Sequence, residues 1–132
     1  MDLDRTPSQI ANAAADEIRT LNHRTLDPKV FTTPSEVADT LNALTRLLQT
    51  LPQSLQQLEA GLELLDENQQ IRLDNKPKAE TSRQDIFRQV LAVRSALQQA
   101  RERLGQADEA MREAARPLSR MGAPWPPADG ED

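Results

Sequence analysis

Leu41, Leu44, Leu48, Leu51, Leu55, Leu58, Leu62 and Leu65 follow one another at spacings of three and four without a break, and Val37 extends the series upstream. This is the a/d seam of a heptad repeat sustained for about four heptads, which predicts a long helix of coiled-coil type. Pro52 stands inside it. A proline removes one backbone hydrogen bond and crowds the carbonyl four residues earlier, so a kink is expected there. The leucine phase is the same on both sides of Pro52, so the pattern predicts one helix over 34–68, kinked at Pro52, rather than two. A leucine in such a seam, Leu58 for example, would cost about 2–5 kcal/mol on truncation to alanine.

A second seam runs through Ile86, Val90, Val93, Leu97, Ala100, Leu104, Ala107, Met111, Ala114 and Leu118. One heptad line stays bulky, while the other shrinks to alanine after Val93. Alanine on one line lets a neighbouring helix approach closely. The helix is predicted over 82–118, with Pro117 ending or kinking it near Arg116. A shorter face, Ile10, Ala14, Ile18, Leu21 and Thr25, predicts a helix over 7–26 that Asp27-Pro28 breaks. It is narrow and lightly apolar, so it is expected to dock on something larger.

Start signals agree with these spans. Thr6-Pro7-Ser8-Gln9 and Thr33-Pro34-Ser35-Glu36 both read as capping boxes with proline at the first helical position. A third start falls at Thr81 or Ser82, with Asp85 placing negative charge in the first turn. About a dozen mostly polar residues, from Gln70 to Thr81, join the two long helices, short enough to make them antiparallel neighbours. The stretch from Gly122 to Asp132 holds Pro124, Pro126, Pro127 and Gly130 and then acids, and reads as a disordered tail. The expectation is an all-α fold: a single helical domain over 1–121 and a tail over 122–132. In it a short N-terminal helix packs on a long antiparallel helical hairpin, and two such hairpins form a four-helix bundle on dimerisation.

Charge sharpens this picture. Residues 34–70 carry one base against six acids, and residues 83–120 carry eight arginines against five acids. An acidic arm followed by a basic arm is complementary across a hairpin, and such pairs select register more than they stabilise. The 132-residue chain has a net charge of −5, no cysteine, one histidine and 2% aromatic residues. Those counts exclude disulfide frameworks, thiolate metal sites and cysteine nucleophiles. No apolar run reaches the roughly 18 residues of a membrane span. Met1-Asp2-Leu3-Asp4-Arg5 lacks the basic start of a signal peptide, so a cytoplasmic location is expected.

Candidate chemistry is thin. His23 has no neighbouring nucleophile or carboxylate that would make it a general base. Glu59/Glu63, Glu63/Glu67 and Glu109/Glu113 are carboxylates four apart on one face, but the Glu-x-x-His pairs of di-iron bundles are missing. No cofactor or metal is expected, and no catalytic residue can be named. Direct nucleic-acid binding is disfavoured by a pI near 4.9 and the lack of aromatics for base stacking. Trp125, between prolines in Pro124-Trp125-Pro126-Pro127, suits a docking anchor, since extended proline segments lose little entropy on binding. Trp125 and His23 are the candidate partner-binding residues.

The run from Ala13 to Leu26, which includes Leu21-Asn22-His23, and Leu51-Pro52-Gln53-Ser54-Leu55 inside the leucine-rich helix resemble a group of small actinobacterial all-helical proteins. The resemblance covers about the first 65 residues and implies a helical fold without an activity, since no catalytic signature comes with it. His23 and Pro52 match its recurrent positions. The size and hairpin are also similar to those of small secreted WXG-type helical proteins, although the Trp-x-Gly between the helices is missing here. The expected function is therefore a non-enzymatic protein–protein interaction or scaffold protein with another protein as partner and a homodimer as its assembly. The alternative is a small regulatory protein acting on nucleic acid.

Overall fold

A computed structural model of the chain describes residues 1–74 and 82–125. Most of the expected connector, 75–81, and of the expected tail, 126–132, lies outside the described residues. The described chain is helical, with α1 over Pro7–Arg24, a single 3-10 turn at Pro28–Val30, α2 over Pro34–Glu67 and α3 over Arg83–Leu118.

Each helix begins where side chains satisfy its first N–H groups. At α1 the capping box closes in both directions: the Gln9 N–H donates to Thr6 Oγ1, and the Thr6 N–H donates to Gln9 Oε1 at 2.9 Å. At α2 the Glu36 N–H reaches Thr33 Oγ1 at 3.4 Å. The Glu36 carboxylate goes one residue further back, accepting from the Thr32 N–H and hydroxyl, both at 2.8 Å. Those bonds from Thr32, its backbone N–H first, hold the Glu36 carboxyl below the ordinary range. At α3 the cap is Ser82, which accepts from the Asp85 N–H at 3.0 Å.

The helix ends differ. Thr25 closes α1 with its N–H and its hydroxyl, both bonded to the Leu21 carbonyl at 2.9 Å. Beyond α2, the Gln70 N–H bonds back to the Leu65 carbonyl at 2.9 Å and Gln69 adopts φ 56°. This is a Schellman closure that places a non-glycine residue in the left-handed region. α2 runs through Pro52, and α3 carries Pro117 and ends one residue after it.

Packing divides the described chain into two compact units, one of which is Ala38–Met121. The other unit holds α1, none of whose residues is fully buried. Of its expected face, Ile18, Leu21 and Thr25 are half-buried, but Ile10 and Ala14 are exposed and Ala13 takes the place of Ala14.

In the larger unit α2 and α3 pack together. Gln49 Nε2 donates to Asp108 Oδ1 at 3.0 Å, Arg101 pairs with Glu59, and Arg94 Nε lies 2.8 Å from Glu63 Oε1. Positions advance along α2 as their partners retreat along α3, so the two helices run in opposite directions. The core is thin, with Ile86 and Val90 its buried apolar residues. Leu41, Leu44, Leu48, Leu51, Leu55 and Leu62 on α2, and Leu97, Leu104, Met111 and Leu118 on α3, are half-buried along the length of the pair.

The heptad reading needs a correction here. Leu58 is 60% exposed and Leu65 49% exposed, while Glu59 is buried and Asp66 half-buried beside them. Val37 is exposed too. On α3, Val93 and Ala114 are exposed and Ala115 is half-buried instead. An α-helix completes a turn in about 3.6 residues, so a strict seven-residue line drifts by about 20° per heptad unless the helices supercoil. The buried line of α2 advances by the helical period and passes from Leu55 to Glu59, Leu62 and Asp66. The line Leu44, Leu51, Leu58, Leu65 rotates out of the contact step by step.

Candidate functional site

The polar contacts between α2 and α3 concentrate on one side of the pair. Glu59 is 8% exposed, and its carboxylate accepts from Arg101 Nη1. Glu63 meets Arg94 one turn further along α2. Near the other end, the mostly buried Asp108 carboxylate accepts from Gln49 and lies 2.8 Å from Arg112 Nη2 on its own helix. Acids on α2 and arginines on α3 thus interlock as their charge distribution implies. Glu59 and Glu63, four apart on one face, each meet an arginine rather than a shared ligand. Among the described residues no group of three His, Cys, Asp or Glu side chains gathers as a metal site would need.

The apolar residues that the pair leaves uncovered fall on two flanks. At about 100° per residue, Phe87 and Leu91 project from the side of α3 that carries Arg94. Leu58, Gly61 and Leu65 project from the side of α2 away from Glu63. Val93, Ala92 and Ala96 project from the side of α3 away from Arg94. Because Glu63 and Arg94 pair, these last two groups lie on the same face of the helix pair. That face, between Ser54 and Asn68 on α2 and between Gln89 and Ala100 on α3, carries no charged side chain; Glu59, Glu63, Asp66, Glu67 and Arg94 all project elsewhere. Among the described residues, a Cβ built on Gly61 meets nothing within 4 Å.

His23 and Trp125 belong to the other compact unit. His23 is exposed in the last turn of α1, where its carbonyl accepts from the Leu26 N–H at 3.3 Å and Arg24 adds a second base at the negative helix end. Trp125 is 93% exposed. The exposed leucines were missed by the seam pattern because it counted them as core. The signal that finds them is the mismatch between their seven-residue spacing and the helical period. No helix of the described residues is long and apolar enough to cross a membrane.

Comparisons with protein-family models, with curated proteins and with solved structures return no match.

Proposed function

We propose that the chain is a non-enzymatic interaction or scaffold protein that binds another protein through the faces of its α2–α3 pair, with Trp125 as a second contact. In this reading α2 and α3 form a long antiparallel hairpin, and two hairpins assemble as a four-helix bundle. The carrying observation is the set of large apolar side chains, Leu58, Leu65, Phe87 and Leu91, exposed on helices that already have each other as partners. Large apolar side chains left exposed on two flanks of a helix pair favour a protein partner.

The ion pairs weigh against the nucleic-acid alternative. Of the eight arginines on and just after α3, Arg88, Arg94, Arg101, Arg112 and Arg116 each lie beside a carboxylate. Their charge is largely balanced before any phosphate arrives.

The test is affinity capture from the native host with three baits: the full chain, the chain lacking 122–132, and Leu91→Glu. The captured protein is then purified and bound to each bait. Saturable binding that either change reduces tenfold or more is the expected result. Binding indifferent to both, or a salt-dependent shift of duplex DNA by the purified chain, overturns the reading.

A further inference from the structure

We propose that a second copy of this chain covers the uncharged face, α2 of each copy lying against α3 of the other about a twofold axis parallel to the helices. The proposal rests on the interaction reading above and gives it a definite occupant.

Charge selects the face. Two copies of a chain with net charge −5 repel at any surface that repeats its acids. The stretch of this face from Ser54 to Asn68 and from Gln89 to Ala100 is free of charge on both helices, so self-association meets no like-charge pair there. The opposite face carries Glu63 and Arg94, while Asp85 and Arg88 pair with each other before the uncharged stretch of α3 begins.

Shape selects the pairing. The α2 side of the face is bulky, with Leu58 and Leu65, and the α3 side is small, with Ala92, Ala96 and the half-buried Ala100. A twofold axis parallel to the helices sets the bulky line of one copy against the small line of the other, twice over. Placing α2 on α2 would set leucine against leucine and alanine against alanine. The leucine line Leu44, Leu51, Leu58, Leu65 keeps a strict seven-residue spacing that the partner within the chain stops using after Leu51. A partner on the flank meets that line where it rotates outward. Gly61 fits the same geometry: a glycine inside a helix is unfavourable, nothing among the described residues crowds it, and it sits between Leu58 and Leu65 where another helix would approach.

The contacts within one copy set the level of the contacts between copies. Glu63 faces Arg94 and Glu59 faces Arg101, so Gly61 lies level with Ala96 and neighbours. In the proposed arrangement Gly61 of one copy approaches Ala96 of the other.

The chain has no cysteine, which makes the arrangement directly readable. Full-length Gly61→Cys and Ala96→Cys chains are mixed and oxidised under mild conditions. The mixed disulfide is expected to exceed either homodisulfide at least fivefold. In parallel, sedimentation velocity from micromolar to near-millimolar concentration is expected to give twice the 14.7 kDa chain mass. Leu58→Glu/Leu65→Glu and, separately, Ala96→Arg should give the single-chain mass with unchanged far-UV circular dichroism. These three side chains are exposed in the single chain, so their loss leaves its fold intact. Phe87→Glu, on the opposite flank, should remain dimeric. A wild-type monomer at every concentration, a predominant 61–61 disulfide, or dissociation by Phe87→Glu alone overturns the proposal. A monomer that still binds its captured protein refutes only this inference. A chain that neither self-associates nor binds one refutes the interaction reading as well.

Discussion

Arg101→Met and Glu59→Gln remove the two halves of one ion pair, and the structure predicts unequal costs. The Glu59 side chain is 11% exposed and the Arg101 side chain 26%. Removing Arg101 strands a nearly buried carboxylate whose partner is gone, and breaking a buried pair in this way costs about 3–5 kcal/mol. Residual exposure places the expected loss near the low end, about 3 kcal/mol. Removing the charge of Glu59 leaves an amide oxygen still able to accept from Arg101. The guanidinium retains a route to water, so the expected loss is about 1 kcal/mol, that of one ordinary hydrogen bond. Replacing both, as Glu59→Leu/Arg101→Met, removes the desolvation penalty together with the attraction and should fall within about 1 kcal/mol of the native chain. Urea unfolding followed by far-UV circular dichroism, at one chain concentration and fixed salt, measures all three variants. Equal losses for the single variants, or a double variant as unstable as their sum, would refute the claim that burial of the carboxylate governs this contact.

Four further outcomes follow from other parts of the molecule. Pro52→Ala should raise stability by about 1–2 kcal/mol, since α2 is continuous and the substitution restores a backbone hydrogen bond to Leu48; a lower urea midpoint would mean that Pro52 starts a separate helix. Gln69→Gly should add about 1 kcal/mol, because φ 56° is costly with a Cβ and free without one, again read from the urea midpoint. Leu58→Ala, measured in dilute solution, should cost less than about 1 kcal/mol, whereas the half-buried Leu55→Ala should cost about 2 kcal/mol or more. The Glu36 carboxyl titrates below its ordinary value, so its contribution is present above the unfolded value and disappears as pH falls through the depressed folded one. Protection of the Thr32 amide against hydrogen exchange, taken relative to its intrinsic rate at each pH, should therefore fall on acidification in the native chain and be low at every pH in Glu36→Gln.

The helices were legible because their signals are local. Thr6-Pro7-Ser8-Gln9 specifies a start through atoms within four residues, and Asp27-Pro28 specifies a stop in the same way. The complementary charge of α2 and α3 was legible too, and the pairs Glu59–Arg101 and Glu63–Arg94 realise it. What the residue pattern did not reveal was which positions meet. A heptad line and a helical line coincide at Leu41 and Leu48, where the choice makes no difference. They separate by about 20° with each further heptad, so the two readings agree at one end of α2 and disagree at Leu58 and Leu65. The same ambiguity hid the surface: a leucine reads as core until a second helix is placed beside it. Glu59 was hidden for the opposite reason, because a carboxylate in a leucine-rich stretch reads as solvated until Arg101 is found across from it.

The passage of the α2 contact line from Leu55 to Glu59 and Asp66, at the helical period, has a consequence for insertions and deletions. In a supercoiled pair a seven-residue insertion restores the seam. Here each added heptad would turn everything beyond it by about a further 20°. The lengths that return a straight helix to phase are instead about eleven residues, three turns, or about eighteen, five turns. Because α2 and α3 run in opposite directions, an insertion in one needs an equal one at the same level in the other. Naturally occurring length variants of this pair should therefore differ by matched steps of about eleven or eighteen residues in both helices.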